Sequence, residues 1–236
     1  MPVPAIKQHG ARAAHPLAVL FDLDGTLIDS IELILSSMRH AFAACGRSAP
    51  ADEEWLTGVG IPLWTMFARY AVDEEQQARL IAAYRQHQLL HHDRMVQGYE
   101  GVAHTLARLH ERGHPLGVVT SKADWLAERA VKQVQIDGLF ATIVGCDSCS
   151  RHKPHPEPVL TALERLGYSP EDALFVGDSV HDIAAGNAAG VITVAALWGP
   201  FSRQELAVAS PAHYLESISV LPALVERLAR SRVGSG

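Results

Sequence analysis

Leu17-Ala18-Val19-Leu20-Phe21-Asp22-Leu23-Asp24-Gly25-Thr26-Leu27 joins a short apolar run to two acids, one residue apart, and then to a glycine turn. Alternate residues of a strand project to the same face, so Asp22 and Asp24 enter one space at a sheet edge. Two carboxylates there repel each other, and each resists ionising unless a cation sits between them. A divalent metal with a phosphate, one carboxylate attacking phosphorus, meets that requirement. A strand end running into a solvated acidic turn is the other reading of the pair taken alone.

The chain has 236 residues, long enough for one sizeable domain with a smaller one inserted or appended. Hydrophobic residues make up 48% and charged residues 19%, which places it among packed globular proteins. A formal charge of −6 without any Lys/Arg run argues against nucleic acid and against an anionic membrane surface as partners. No apolar stretch approaches the roughly 18 to 20 residues that cross a bilayer. Met1 to His15 lack the apolar segment of a signal peptide and read as a loose arm; Ser231 to Gly236 read as a disordered tail. Cys45, Cys146 and Cys149 are too few for a disulfide framework, in keeping with a reducing cytoplasm.

Short apolar runs at Leu17–Leu23, Leu116–Thr120, Thr142–Gly145, Leu174–Val176 and Val191–Ala195 have the character of parallel strands covered on both faces. Asp124–Val134, Pro156–Leu166 and Asp182–Ala189 read as the crossover helices between them. The alternation predicts a doubly wound α/β sandwich whose strands all end at one edge. From Ser30 to Gly98 the rhythm stops, and helical patterns take over at Ile31–Ala44, Leu63–Tyr70 and Glu74–Leu90. An interval of that length exceeds an ordinary loop. It reads as a helical cap over the strand ends, hinged near Ile28-Asp29 and Gly98 to Gly101. The predicted core is therefore discontinuous, 16–28 with 99–230, and the cap spans 29–98.

The strand ends carry polar groups that packing does not call for. Asp22, Asp24, Gly25 and Thr26 follow the first run, and Thr120-Ser121-Lys122 the second. His152-Lys153-Pro154 comes after the third, and Gly177-Asp178-Ser179 with Asp182 after the fourth. Acids, hydroxyls and a lysine converging on one edge describe a metal–phosphate pocket. The glycines make neither a dinucleotide fingerprint nor a Walker loop in the required strand–turn–helix setting.

Phe21-Asp22-Leu23-Asp24-Gly25-Thr26-Leu27, Thr120, Lys153-Pro154 and Gly177-Asp178-Ser179-Val180-His181-Asp182 resemble the four signature motifs of the haloacid dehalogenase superfamily, in the same order. The resemblance runs from about Leu17 to about Val225. It implies a Rossmann-like three-layer α/β/α core with a parallel sheet and a helical cap inserted after the first strand (the C1 type). Leu116 to Lys122 with Lys153 to Pro158 is most similar to phosphoglycolate phosphatases and related bacterial pyrophosphatases. The implied activity is a Mg²⁺-dependent phosphatase acting on a small phosphorylated metabolite, working as a monomer or weak homodimer.

On that resemblance Asp22 is the nucleophile that forms an aspartyl-phosphate, and Asp24 the general acid/base. Gly25 and Thr26 line the phosphate site, while Thr120 and the Ser121 amide bind the phosphoryl group. Lys153 sets a positive charge against its oxygens. Asp178, Asp22 and the Asp24 carbonyl hold Mg²⁺, a hard ion that prefers oxygen, and Asp182 orients Lys153 or a metal-bound water. A dehalogenase needs no acid at the Asp24 position. A phosphonatase uses a cap lysine, and Ser30 to Gly98 contains none. A β-phosphoglucomutase would want a histidine near Ile34. A non-catalytic phosphate binder is the alternative from another class.

The remaining candidates each have two readings. Cys146, Cys149, His152 and His155 resemble a zinc set but span less chain than structural zinc usually does, so a surface loop competes. Trp55, Trp64 and Phe67 read as cap core. His91, His92 and Lys122 read as solvated helix ends or outer substrate contacts, and Gly58 to Pro62 as a substrate-facing loop or a plain interhelical turn.

Overall fold

The computed structural model describes residues 16–233. The arm expected over Met1 to His15 lies outside the described residues. From the N-terminus, β1 (Ala18–Phe21) and β2 (Ile28–Asp29) lead into four helices, α1 (Ile31–Ala44), α2 (Asp52–Leu56), α3 (Leu63–Ala68) and α4 (Glu74–Met95). Then come β3 (Gln97–Gly98), α5 (Val102–Glu111), β4 (Leu116–Val119), α6 (Asp124–Gln133), β5 (Thr142–Val144), α7 (Glu157–Leu166) and β6 (Ala173–Gly177). The chain continues through α8 (Val180–Ala189), β7 (Ile192–Ala196), α9 (Arg203–Ala207), β8 (His213–Leu215) and α10 (Leu221–Val233). The tail expected from Ser231 to Gly236 is helical over its first three residues, since α10 continues to Val233 and the Ser231 hydroxyl donates to the Leu228 carbonyl; Gly234 to Gly236 lie outside the described residues.

Six strands form one parallel sheet in the order β5-β4-β1-β6-β7-β8. The chain winds one way from β1 through β4 and β5, then returns to β6 on the other side of β1. Strand β1 thus lies at the switch point where open α/β sheets form their crevice. Its side chains alternate between two cores. Leu17, Val19 and Phe21 join the cluster under α5, α6 and α10; Ala18 and Leu20 join the cluster under α7 and α8. Strand β6 does the same, with Leu174 and Val176 on one face and Ala173 and Phe175 on the other. That two-sided burial is why the strands read as continuous apolar runs.

The α1–α4 insertion has a separate core. Phe42, Trp55, Phe67 and Tyr84 meet within it, with Trp55 and Phe67 ring centroids 4.9 Å apart and Phe67 and Tyr84 5.8 Å apart. Trp55 and Phe67 are fully buried there as expected, whereas Trp64 is half-exposed. The two ends of the insertion are tied by a short antiparallel ribbon in which Ile28 pairs with Gly98 and Asp29 with Gln97. The sequence reading had no strand between Ser30 and Gly98; β3 is too short to show alternation. It also missed α2 and the edge strand β8.

His114 joins β1 to the rest of the core from a buried position, its Nδ1 lying 3.1 Å from the Leu17 amide nitrogen and 3.0 Å from the Leu17 carbonyl oxygen. Burial lowers its pKa below the usual histidine value, an effect the Leu17 contact only partly offsets. A neutral buried histidine takes up its proton in the unfolded chain first. Its contribution is therefore complete above about pH 6.5 and is lost as pH falls through the lower folded value, at up to about 1.4 kcal/mol per pH unit. Urea unfolding between pH 7.5 and pH 5 should show that decline, with a shallower slope in His114→Gln. An NMR titration should place the His114 ring below free histidine.

Candidate active site

Register brings the polar residues together. Phe21 pairs with Val118 on one side and Val176 on the other. Asp22, Thr120 and Asp178 therefore emerge side by side just past the strand ends. Lys153, from the segment before α7, reaches the same point. Its buried Nζ donates to Asp22 Oδ1 at 2.7 Å and to Asp182 Oδ1 at 2.6 Å. Asp182 is held by the start of α8, where it forms a capping box with Ser179: its Oδ2 accepts from the Ser179 amide at 3.0 Å. One oxygen of Asp182 thus serves the helix and the other serves the lysine.

Asp178 is nearly completely buried. Its Oδ1 accepts a hydrogen bond from the Thr26 hydroxyl at 2.6 Å, and its Oδ2 has no partner among the described residues. Gly25 allows this approach. At φ +86° it takes a left-handed turn, and a Cβ there would lie 2.3 Å from Asp178 Oδ2. Oxygen atoms of Asp22, Asp178 and Asp182 all lie within 4.8 Å of one another, a group that could hold a metal ion. The unpartnered Oδ2 and the all-oxygen donors fit a hard divalent cation.

Electrostatics points the same way. Burial, then the Asp182 charge, raises the Asp22 pKa to about 7 against the pull of Lys153. Asp178 is pushed well above the carboxylate range by burial and by Asp22 and Asp182. Burial works to lower the Lys153 pKa, but Asp182 and Asp22 outweigh it and hold the ammonium charged. Three buried carboxylates around one lysine thus leave Asp22 sharing a proton near neutrality, the resistance to ionising expected of paired acids at a strand end.

Asp24 turns to a different partner. Its Oδ1 accepts from Lys122 Nζ at 2.6 Å and from the Ser30 hydroxyl at 2.6 Å. The Lys122 side chain is buried against it, which corrects the reading of this lysine as a solvated helix start. Neither contact could be seen in sequence, since one spans the whole insertion and the other joins the first strand end to its neck.

A cavity of about 110 Å³ lies between the insertion and the strand ends, lined by Asp22, Asp24, Thr120, Ser121 and Lys122 from the core and by Gly60, Tyr84, Arg85 and Gln88 from the insertion. The Gly58–Pro62 loop contributes Val59, Gly60 and Ile61 to this lining. It also docks on the core, where Ser121 Oγ donates to the Gly60 carbonyl at 2.5 Å. Gly60 adopts φ +104°, and a Cβ there would meet Ser179 Oγ at 2.7 Å. The Ser121 hydroxyl is thus committed to the insertion, so any phosphoryl contact from this residue falls to its amide.

Other expected site residues sit elsewhere. Thr26 is fully buried behind Asp178, outside the cavity lining, with its carbonyl accepting from Trp198 Nε1 at 2.9 Å. His92 is fully buried rather than a solvated helix end, with Nδ1 2.8 Å from Asp93 Oδ1. His91 packs its ring 4.3 Å from that of His87. The would-be zinc residues go separate ways: Cys149 Sγ lies 3.4 Å from Thr161 Oγ1, His152 packs edge-on to Trp64, and Cys146 lines the cavity.

Residues 19–196 match the family model for haloacid dehalogenase-like hydrolases. The chain is 39% identical over 213 residues to a pyrophosphatase PpaX of Bacillus cereus, covering 90% of this chain and 98% of the relative. A Bacillus mycoides protein of the same name is 38% identical over 210 residues, covering 89% and 97%. A solved structure from Clostridium acetobutylicum, described as a predicted phosphatase, has a TM-score of 0.79 at 26% identity and covers 92% of this chain and 100% of its own. One from Haemophilus somnus, described as a predicted phosphoglycolate phosphatase, shares the fold with a TM-score of 0.81 at 24% identity, covering 89% and 97%. With its acids, lysine and threonine gathered at the switch point and a family match running from β1 to the end of β7, the chain belongs to the haloacid dehalogenase-like hydrolases.

Proposed function

We propose that this hydrolase is a cytoplasmic, magnesium-dependent phosphatase that removes the phosphoryl group of a small metabolite through an aspartyl-phosphate on Asp22. The observation that carries the reading is a charge imbalance. Asp22, Asp178 and Asp182 would place three negative charges in a buried space that holds one lysine. Two charges remain to be met, which is what a divalent cation brings. Asp22, Asp178 and the Asp24 carbonyl would hold magnesium, which when bound would supply that charge and polarise the phosphoryl oxygens.

This chain's own residues then account for the rest. A carboxylate oxygen of Asp22 attacks phosphorus, the bond from phosphorus to the leaving oxygen breaks, and its electron pair goes to that oxygen. Asp24, which lines the cavity, gives the leaving oxygen a proton. Water next attacks the aspartyl-phosphate, Asp24 takes the water's proton, and inorganic phosphate departs from a regenerated Asp22. Lys153, held by Asp182, offsets charge on the phosphoryl oxygens, and Thr120 with the Ser121 amide completes their contacts. Residues 29–98 act as a cap over a core of 16–28 and 99–230, excluding bulk water.

Two substrates suit this reading: phosphoglycolate, a compact metabolite in keeping with a small cavity, and pyrophosphate, after which the Bacillus relatives are named. Turnover of 2-phosphoglycolate, pyrophosphate and acetyl phosphate, with and without Mg²⁺, tests the reading; no turnover of any by folded protein would favour a phosphate binder. Asp22→Asn should lower kcat by at least about a thousandfold while leaving the melting temperature close to wild type. Wild-type rates in that variant would remove Asp22 as nucleophile.

The shared proton yields a second test. A carboxyl with a pKa of about 7 is half-protonated at neutral pH, and a bound cation favours its ionised form. Adding Mg²⁺ to metal-free protein near pH 7 should release protons, and affinity should rise as pH increases through 7. Calorimetry in buffers of differing ionisation enthalpy reads the release; the same heat in all of them would contradict it.

A further inference from the structure

Four charged side chains line the cavity: Asp22, Asp24, Lys122 and Arg85. Three have partners, Asp22 with Lys153 and Asp24 with Lys122. Arg85 is exposed at the cavity mouth and has no hydrogen bond or ion pair among the described residues. Gln88 follows it on α4 at the i+3 position, so the two share a helix face. Gln88 is only 6% exposed as a residue, and its carboxamide, which still reaches solvent, has no hydrogen-bond partner among the described residues. Two unpaired donors on one face, both lining a cavity that opens onto Asp22, suit a guest that accepts hydrogen bonds and carries negative charge.

The other walls narrow the choice. Ile34, Val59, Ile61 and Leu126 are apolar and offer nothing to the hydroxyls of a sugar. A volume of about 110 Å³ is well below the roughly 300 Å³ at which drug-sized pockets begin. A neutral apolar leaving group would fit but would bury Arg85 without a counter-charge, and a cationic one would be repelled.

We infer that Arg85 and Gln88 form a subsite for the far end of the substrate, and that this end is a compact oxyanion, a carboxylate or a second phosphate, on a leaving group of a few heavy atoms. Arg85 supplies charge-assisted hydrogen bonds to it, and Gln88 supplies an amide donor alongside. The inference rests on the phosphatase reading and adds to it the residues that select the substrate. It also accounts for two different leaving groups suiting one cavity, since glycolate and phosphate share a terminal oxyanion.

The test compares 2-phosphoglycolate with 2-hydroxyethyl phosphate, which differ by a carboxylate against an alcohol. Wild-type protein with Mg²⁺ should prefer the carboxylate in kcat/KM by about tenfold or more. In Arg85→Ala that ratio should fall to within about threefold of unity, and Arg85→Lys should restore part of it. Gln88→Leu should lower it to an intermediate value. An unchanged ratio, or equal losses on both substrates, would overturn the subsite while leaving the phosphatase intact. Titrating 2-phosphoglycolate and pyrophosphate into Asp22→Asn protein, with and without Arg85→Ala, reads the subsite when turnover is absent. Binding weaker by about tenfold supports the inference, and equal binding refutes it.

Discussion

Three carboxylates and one ammonium share a space with almost no access to water, and the rest of the active end is arranged around that fact. Lys153 is the single fixed cation, and it divides itself between Asp22 and Asp182. Buried ion pairs gain little unless each remaining lone pair finds a partner. Asp182 meets the condition by capping α8, but Asp178 meets it only halfway, through Thr26. The unmet half is what marks the cluster as a candidate cation site, since a fully satisfied network would have no lone pair left to offer.

The sheet makes this arrangement possible without buried loops. Each strand spends its side chains on two cores and has none left for chemistry until its last residue has passed. Polar groups then appear together because neighbouring strands are in register, and they appear in the crevice because the chain reverses direction at β1. The insertion adds the opposite wall. It carries a separate aromatic core, and Ile34, Val59, Ile61, Met66 and Tyr84 belong to that core while also facing the cavity. Arg85 and Gln88, on the same helix as Tyr84, face the cavity without belonging to the core.

Much of this was legible from short stretches of chain. Asp22, Thr120, Lys153 and Asp178 each follow an apolar run, and an acid or lysine in that position has few structural uses. Parallel strands covered on both faces announce themselves by composition alone. Pairings across the fold were not legible. Thr26 looked like a phosphate ligand because it follows the acidic turn, and only the packing of β6 beside β1 shows that its hydroxyl belongs to Asp178. Lys122 looked solvated because helix starts usually are, and its burial depends on Asp24 arriving from a neighbouring strand. Strand β8 escaped notice for a different reason: His213-Tyr214-Leu215 is a short, half-covered edge without the apolar density of the central strands.

The ribbon at the neck of the insertion has a mechanical consequence. Asp24 and Ser30 flank β2, the Ser30 hydroxyl grips the Asp24 carboxylate, and the Gly25 amide donates to the Ile28 carbonyl within the same tight loop. The proposed proton donor is therefore tethered to the neck of the insertion by one short stretch of backbone. On that reading, the placement of the Asp24 carboxylate and the seating of the helices over the sheet are set together rather than independently.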